Sequence, residues 1–364
     1  MLHAVVMSGG TGTRFWPQSR KTRPKQFLPL IGENSMIRET VDRVRPWIPA
    51  ERTWVVTNKL QHKATVEELP EIPADQILVE PQGRNTAPCI GLAAICLLAR
   101  DPDAIMLVMP ADHVIQPPAA FQEAVERAVH AIEQNPEMFV LFGVPPTFPA
   151  TGFGYIERGD RSAGEIEGIH GVESFREKPV LPVAEEYIAT GRFLWNCGIF
   201  VWKAQTILTA LEAHEPTIHE RLEKLRPAIG TPQWHNKLQV EFPLMRSISI
   251  DHAILERAAT EEGGRNAFVI EAPFEWDDLG SWLSLARRIE PDDRGNTVRG
   301  PHSGLETKNC IISSSADHLI ATIGLEDLVI VHTPDATLVA RRDDEQAIRQ
   351  LIEQLKAHGY DKHL

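Results

Sequence analysis

The sequence lacks an excess of positive charge, because 37 lysines and arginines stand against 50 aspartates and glutamates, for a formal net charge of −13. This balance argues against a broad surface for nucleic acid or anionic membranes. The sequence also lacks an apolar run close to the ~20 residues of a membrane span, and its first residues do not have the pattern of a signal peptide. We therefore expect a cytoplasmic protein without a membrane or nucleic-acid partner, in which a few local cations hold any anionic ligand.

Cysteine is scarce, and none of the four cysteines belongs to a Cys-x-x-Cys pair. A structural metal centre or a disulfide framework is therefore not expected, and we interpret the cysteines as reduced residues in or near the core. What the sequence does have is length and apolar content: 364 residues, of which 43% are hydrophobic. This is enough for two domains, or for one large domain with an appendage.

A glycine-rich loop follows the first apolar run, residues 4–7. Glycines let several backbone N–H groups converge on one anion, while hydroxyls and cations add further donors. The loop therefore suggests a phosphate site, although a tight connection is the common alternative for such a turn. The loop residues and the two cations that follow them are Ser8, Gly9, Gly10, Thr11, Gly12, Thr13, Arg14 and Lys25.

Two better-known phosphate loops are excluded. A Walker A loop closes with Gly-Lys-Ser/Thr, but here Gly12 is followed by Thr13 and Arg14. The dinucleotide fingerprint needs a third Gly or Ala at the position of Phe15 and an acidic residue after the second strand, where Asn58 stands.

Strand-like and helix-like segments alternate over residues 1–145. Fully apolar strands that alternate with helices predict an α/β fold, Rossmann-like, with a mostly parallel sheet covered on both faces. Ligands of such sheets bind beyond the carboxyl ends of the strands. The predicted strands are residues 4–7, 53–57, 76–80, 104–109 and 138–143, and the predicted helices are residues 36–44, 59–69, 87–99 and 119–132.

Polar residues follow the third and fourth of these strands. Asn85 and Thr86 open a helix and could face the edge of a base, with ordinary helix capping as the commoner alternative. Asp112 is delivered directly from a buried strand. It could cap the next turn, but with phosphates bound beside it a Mg²⁺ ligand is the better explanation.

From about residue 150 the strands become shorter and the loops longer. Glu177 and Lys178 adjoin at a strand end and offer an acceptor for hydroxyls and a cation for a phosphate, but alone they favour a solvated ion pair. Residues 249–256 predict the start of a helix, capped by Ser249 or Asp251. Of the adjacent carboxylates Asp277 and Asp278, one can cap a helix while the other points into a site.

The last part of the chain, after residue 296, consists of short strand-like pieces with turn residues between them. Residues 343–358 then show a helical stripe of apolar positions. We predict a small C-terminal β-rich module with a closing helix. Its expected role is packing or subunit contact, which includes a possible homodimer through this module.

Together these segments resemble the sugar-nucleotide pyrophosphorylases, and within that family the branch that makes GDP-mannose. The resemblance covers residues 5–355. It rests on the ordered segments Gly9-Gly10-Thr11-Gly12-Thr13-Arg14, Pro24-Lys25-Gln26-Phe27, Glu80-Pro81, Gly83-Arg84-Asn85-Thr86-Ala87-Pro88, Pro110-Ala111-Asp112-His113, Glu177-Lys178-Pro179, Trp195-Asn196 with Gly198, and Trp276 with Asp278 and Gly280-Ser281-Trp282.

The resemblance implies a GT-A-like nucleotidyltransferase domain over residues 1–290, with a nucleotide half over about 1–150 and a sugar-phosphate half over about 151–290. The C-terminal module would occupy residues 291–364. The implied reaction transfers GMP from GTP to α-D-mannose 1-phosphate with the help of Mg²⁺, or of Mn²⁺ or another divalent ion. Some members of the family carry a fused sugar-phosphate isomerase domain, and we expect no such second activity here.

The resemblance also implies a role for each residue of the site. Catalysis is expected from Arg14, Lys25 and Asp112, and metal binding from Asp112 and Asp278. The expected nucleotide-binding residues are Ser8, Gly9, Gly10, Thr11, Gly12, Thr13, Glu80, Arg84, Asn85, Thr86 and Pro110. The expected sugar-phosphate-binding residues are Gly154, Glu177, Lys178 and Asn196.

Two alternatives remain open at this point. One is a nucleotidyltransferase of the same fold that uses another base or sugar. The other, less favoured, is a non-catalytic homologue that senses sugar nucleotides. A homologue of the second kind would be expected to have lost a loop cation or a metal ligand, yet Arg14, Lys25, Asp112, Lys178 and Asp278 are all present.

Overall fold

The computed structural model describes residues 1–10, 12–163, 166–260, 265–314, 317–344 and 347–364. The strands before residue 280 are β1 (Leu2–Ser8), β2 (Thr53–Asn58), β3 (Ile77–Glu80), β4 (Ile105–Pro110), β5 (Val114–Gln116), β6 (Phe139–Val144), β7 (Gly154–Ala163), β8 (Ile166–Glu177), β9 (Phe193–Lys203), β10 (Ala267–Glu271) and β11 (Glu275–Asp277). The helices of the same part are α1 (Met36–Val44), α2 (His62–Glu68), α3 (Thr86–Leu98), α4 (Pro118–Gln134), α5 (Leu181–Thr190), α6 (Ala204–His214), α7 (Pro216–Leu225), α8 (Trp234–Glu241), α9 (Glu256–Ala258) and α10 (Trp282–Ala286).

Within the described residues, a nine-stranded sheet forms the body of the protein in the order β3-β2-β1-β4-β9-β6-β10-β8-β7. Strands β3, β2, β1 and β4 are mutually parallel, and β6 is parallel to β10. Strand β9 runs antiparallel between β4 and β6. The parallel strands are buried along most of their length, because helices cover both faces of the sheet. The predicted α/β class is confirmed.

Two apolar clusters lie on the two faces of this sheet. Helices α3, α6 and α7 pack on one face, and α1 and α4 pack on the other. Helix α3 is apolar on nearly all sides, as expected for a helix enclosed between a sheet and other helices. None of the described helices is long and apolar enough to cross a membrane. The four cysteines, all of them described, are buried free thiols.

Local side-chain bonds explain where two predicted helices begin. Helix α1 has its predicted bounds because Ser35 Oγ accepts a hydrogen bond from Arg38 N. Helix α2 begins at His62, three residues later than predicted. The intervening residues form a turn in which Asn58 Oδ1 accepts hydrogen bonds from Leu60 N and Gln61 N.

The C-terminal module is a parallel β-coil. Its strands are β12 (Thr297–Arg299), β13 (His302–Leu305), β14 (Ile311–Ser313), β15 (Ile320–Ile323), β16 (Leu328–Thr333) and β17 (Ala336–Arg341), followed by helix α11 (Ala347–Ala357). Strands β12, β14 and β16 form one parallel ladder, β13 and β15 form a second, and β17 turns back antiparallel to β16. The predicted β-rich module with a closing helix is confirmed, and the parallel coiling is a finding of the structure.

Candidate active site

The glycine-rich loop leaves β1 beside the end of β4. Met7 pairs with Pro110, and Ala111 N donates a hydrogen bond to Met7 O over 3.1 Å. Because parallel strands end at the same edge of a sheet, the loop and Asp112 lie next to each other there. Gly9 and Gly10 are exposed, whereas Ser8 is buried, and its hydroxyl has no hydrogen-bond partner among the described residues. Thr11 lies outside the described residues.

The end of the loop is held against Lys25. Gly12 has a φ of 53°, and a Cβ there would lie 2.5 Å from Lys25 N, so glycine alone fits both the conformation and the space. Gln26 Nε2 and Gln61 Nε2 both donate to Gly10 O, over 3.2 Å and 3.0 Å. Thr13 then begins a short 3₁₀ turn that carries the exposed Arg14.

Four charged side chains from separate segments converge beside this loop. Lys25 Nζ donates to Asp112 Oδ2 over 2.7 Å and to the backbone oxygen of Asp278. The side chains of Arg14 and Asp278 meet at Gly280, where a Cβ would lie 2.8 Å from Asp278 Oδ2 and 3.0 Å from Arg14 Nη1. The structure thus brings together the residues expected to be catalytic and metal-binding.

Asp278 reaches the site because β11 pairs with β5, which follows Asp112 in the chain. In the turn after β11, Asp277 Oδ1 accepts a hydrogen bond from Leu279 N over 2.8 Å, and Asp278 Oδ1 accepts one from Gly280 N over 3.1 Å. Both carboxylates therefore stabilise the turn. Asp278 also takes part in the charged cluster through its second oxygen.

Asp112 is held in its ionised form. Burial by itself would raise the pKa of Asp112, but the charge and the hydrogen bond of Lys25, together with the neighbouring His113 and Arg14, outweigh it, and the pKa lies below its ordinary value. Two carboxylates fit Mg²⁺, which proteins commonly hold through one or two carboxylates together with substrate phosphates. Among the described residues no group of three or more His, Cys, Asp or Glu is arranged to hold a metal.

His113 lies between Asp112 and Trp276, an aromatic residue that the sequence marks as part of a motif without indicating a role. Trp276 Nε1 donates to His113 Nδ1 over 3.1 Å, and the two rings meet edge to face. Burial lowers the pKa of His113, so the ring is neutral near pH 7. Since the indole N–H is only a donor, the neutral imidazole carries its proton on Nε2, which lies 3.9 Å from Asp112 Oδ1.

Glu80 ends β3 on the other side of the loop. A Cβ at Gly9 would lie 3.8 Å from Glu80 Oε2, and Glu80 Oε1 is buried without a hydrogen-bond partner among the described residues. Burial raises the pKa of Glu80 to about 7, against the effect of a hydrogen bond from Cys89. An unpartnered carboxyl oxygen beside the loop is suited to accept a hydrogen bond from a ligand.

Asn85 and Thr86 are engaged in local structure. Asn85 has a φ of 65° and caps α3, with its Oδ1 accepting a hydrogen bond from Thr86 N. Thr86 Oγ1 accepts a hydrogen bond from Ile250 N over 2.8 Å. Arg84 donates from its guanidinium to Pro243 O. In the structure, therefore, the side chain of Asn85 caps helix α3.

A second polar cluster lies at the ends of β7, β8 and β9. Gly154 pairs with Glu177, and a Cβ at Gly154 would lie 2.5 Å from Glu177 Oε2 and 3.3 Å from Asn196 Cβ. Glu177 forms a salt bridge with Lys178, whose φ is 47°. The four residues expected to bind the sugar phosphate are thus neighbours.

Asp251 belongs to this second cluster. Its Oδ1 accepts a hydrogen bond from Asn196 Nδ2 over 2.9 Å, while Asn196 Oδ1 accepts one from Gly198 N over 3.0 Å. Burial and the charge of Glu177 raise the pKa of Asp251 to about 6. Asp251 lies inside a π-helical turn, Asp251–Leu255, rather than at the predicted cap. The two clusters adjoin. Gly198, which is hydrogen-bonded to Asn196, lies so near His113 that a Cβ added to Gly198 would be 3.9 Å from His113 Cε1.

The fold and the site define the class of this protein: an α/β protein with a glycine-rich loop, two cations and two carboxylates at the edge of its sheet. The sequence matches the family described as "Nucleotidyl transferase" over residues 3–293. Residues 300–355 match the "MannoseP isomerase/GMP-like beta-helix domain". The chain belongs to the nucleotidyl transferase family, which is a family of enzymes, and the expected resemblance is confirmed.

Two named proteins and one crystal structure are similar to this chain over nearly its whole length. The chain is 40% identical to the xanthan biosynthesis protein XanB of Xanthomonas campestris pv. campestris (strain B100), over 98% of this chain and 73% of that protein. It is 37% identical to the mannose-1-phosphate guanylyltransferase of Escherichia coli (strain K12), over 100% of this chain and 75% of that protein. A crystal structure from Thermus thermophilus, described as a mannose-1-phosphate geranyltransferase, superimposes with a TM-score of 0.84 at 32% identity and covers 98% of this chain and 99% of that one.

Proposed function

We propose that this protein transfers GMP from GTP to α-D-mannose 1-phosphate and releases GDP-mannose and pyrophosphate. The observation that carries the proposal is the convergence of Arg14, Lys25, Asp112 and Asp278 beside the glycine-rich loop. The name of the Escherichia coli relative supports the choice of base and sugar. A related transferase that uses another base or another sugar 1-phosphate is the alternative.

This set of side chains suits phosphoryl chemistry without a general base. The attacking phosphate oxygen of mannose 1-phosphate is already ionised at neutral pH, so no residue has to remove a proton. The barrier lies in bringing two polyanions together and in stabilising charge on the equatorial and leaving oxygens. Cations and backbone N–H donors fixed beforehand in a shielded site are suited to that task.

We assign the cations to opposite sides of the bond that breaks. Arg14, exposed and carried by the turn after the loop, would hold the departing pyrophosphate. Lys25, buried between Asp112 and the backbone of Asp278, would lie at the α-phosphate that is transferred. Mg²⁺ held by Asp112 and Asp278, when bound, would neutralise charge on the phosphate oxygens.

The remaining residues would bind the two ends of the substrates. Glu80 has a buried carboxyl oxygen beside the loop with no hydrogen-bond partner in the described part of the chain, and it would accept a hydrogen bond from the guanine edge. Arg84, Asn85 and Thr86 would line the same pocket. In the second cluster, Lys178 would bind the phosphate of the sugar phosphate. Gly154, Glu177 and Asn196 would face the sugar hydroxyls.

Pyrophosphate release from a panel of nucleoside triphosphates and sugar 1-phosphates tests the proposal directly. GTP with mannose 1-phosphate should give the highest kcat/KM, and a clear preference for another pair would refute this choice of substrates.

Arg14→Ala and Asp112→Asn should each remain folded and lose on the order of 100- to 1000-fold in rate. Arg45→Ala and Asp103→Asn are the matched controls. They remove a guanidinium and a carboxylate, as the two site variants do, but from exposed residues whose ion pairs lie outside the site. Near wild-type turnover in Arg14→Ala or Asp112→Asn would overturn the assigned roles.

A further inference from the structure

The C-terminal module packs against the chain segments that carry the charged cluster. We call this apolar contact the shared cluster. Each of the four charged residues has a buried member of the shared cluster within three positions of it in the sequence, and these members are Phe15, Leu28, Val114 and Leu279. The module contributes Ile311, Val329, Val331, Leu338 and Ile348. The active-site segments and the module thus share one core.

Hydrogen bonds bind the segment after Arg14 to the same module. Trp16 Nε1 donates to His363 O over 2.7 Å, and Gln18 Nε2 donates to Ser313 Oγ over 2.9 Å. The guanidinium of Arg20 forms a salt bridge with Asp335 over 2.7 Å. These contacts are spaced along the chain, so they hold the segment at several points.

The glycine-rich loop is restrained at both of its ends. Before it, β1 is fixed in the sheet, and Gly10 O is held by two glutamines. After it, the turn that carries Arg14 contacts the rest of the protein through Phe15, whose ring packs edge to face on Trp282 with ring centres 5.0 Å apart, and through Trp16. Phe15 and Trp282 both belong to the shared cluster, so the position of Arg14 depends on how that cluster packs.

We propose that the C-terminal module is a positioning element of the active site, which holds Arg14 and the segments of Lys25, Asp112 and Asp278 in their working arrangement. The sequence suggested packing or subunit contact for this module. The structure assigns it a part in turnover because one apolar core contains both residues of the module and residues one to three positions from each charged residue. A displacement of about 1 Å in a positioned group can cost on the order of 100-fold in rate.

Strand β14 offers a matched pair of variants. Ile311 belongs to the shared cluster, whereas Ile312 faces the interior of the coil with Cys310, Ile320 and Ile330. The two isoleucines are 2% and 1% exposed, so replacing either by alanine removes the same atoms from a comparably buried place. Only Ile311→Ala opens a cavity next to the active-site segments.

The experiment compares Ile311→Ala with Ile312→Ala in the full chain, below the unfolding temperature of both. We expect both variants to lower the melting temperature, and Ile311→Ala alone to lower kcat by about tenfold. KM for GTP should change less than kcat, because Arg14 is assigned to charge that develops in the transition state. Ile311→Val, which removes fewer atoms than Ile311→Ala, should have most of the wild-type kcat. If either alanine variant fails to fold, the valine variants at both positions are compared in the same way.

Hydrogen–deuterium exchange of residues 12–28 gives a readout that does not depend on the substrates. Exchange should rise in Ile311→Ala and stay at the wild-type level in Ile312→Ala. Equal kcat in the two variants, together with unchanged exchange, would overturn the positioning role. If the wild type releases pyrophosphate from no substrate pair, the proposed function fails, and the exchange comparison still decides this inference.

Discussion

A single methyl group at Gly280 tests whether Arg14 and Asp278 act from the positions that the structure gives them. The Cβ of an alanine there would lie 2.8 Å from Asp278 Oδ2 and 3.0 Å from Arg14 Nη1. Non-bonded heavy atoms are most stable at roughly 3.5 Å or more, so Arg14 Nη1 must retreat by about 0.5 Å and Asp278 Oδ2 by about 0.7 Å. Both are the far ends of flexible side chains, and the backbone can stay in place. We therefore expect Gly280→Ala to change the free energy of unfolding by less than about 1 kcal/mol.

The effect on turnover should be larger than the effect on stability. Complete loss of a well-placed charge-stabilising donor costs on the order of 100- to 1000-fold. A shift of about 0.5 Å lies at the limit that a working constellation tolerates. We therefore expect kcat to fall by about tenfold, which corresponds to about 1.4 kcal/mol in the barrier.

The assay is pyrophosphate release at saturating GTP and mannose 1-phosphate, with urea unfolding in parallel. Gly32→Ala is the control, because its Cβ would meet Glu39 Oε1 at an ordinary 3.8 Å, and it should behave as the wild type. Adding Gly280→Ala to Arg14→Ala should lower kcat by clearly less than tenfold, because the contact with Arg14 is then absent and only the displacement of Asp278 remains. Wild-type kcat in Gly280→Ala, or a further tenfold loss in the double variant, would refute the argument through Arg14.

Three further substitutions test other parts of the structure. Burial raises the pKa of Glu80 to about 7, so the folded wild type should lose stability as the pH rises from the ordinary carboxyl pKa through 7, whereas Glu80→Gln should not. The free energy of unfolding in urea, measured for both proteins at pH 5 and pH 8, should shift in favour of the variant at pH 8. An equal difference at the two pH values would contradict this. Trp276→Phe keeps the ring but removes the N–H donor to His113, and steady-state kinetics should show a three- to tenfold lower kcat, on the order of one lost hydrogen bond, in a folded protein. Gly91→Ala would place a Cβ 2.6 Å from Leu222 Cδ1, and urea unfolding should show a loss of about 1–3 kcal/mol with kcat unchanged.

The parallel half of the sheet could be predicted because its strands are buried on both faces. Such strands appear in a sequence as continuous apolar runs, and residues 53–57 and 104–109 are clear examples. The antiparallel insertion of β9 could not be predicted in the same way. Its pairing joins Ile105 to Lys203, and no local pattern encodes a contact over that distance in the chain.

The charged cluster was predictable for a related reason. Arg14 and Asp112 follow the ends of β1 and β4, which a parallel sheet must bring to one edge, and Lys25 lies further along the segment after β1. Asp251 was missed because its spacing resembles a helix cap, while its bond to Asn196 depends on the tertiary fold. The role of Phe15 was hidden as well, since an apolar residue after a phosphate loop does not indicate which part of the chain will cover it.

The strand order has a consequence for how such an enzyme can diversify. The residues assigned to the base follow β3 at one margin of the sheet, and those assigned to the sugar lie on or beside β7, β8 and β9. Strands β3 and β9 are four positions apart, which at about 4.8 Å per strand is roughly 19 Å. Substitutions after β3 therefore act at a distance from most of the sugar side, except at Thr86, whose Oγ1 accepts a hydrogen bond from Ile250 N beside Asp251. Donor and acceptor preference can thus change through largely separate residues of one scaffold, which meet at that hydrogen bond and at the charged cluster.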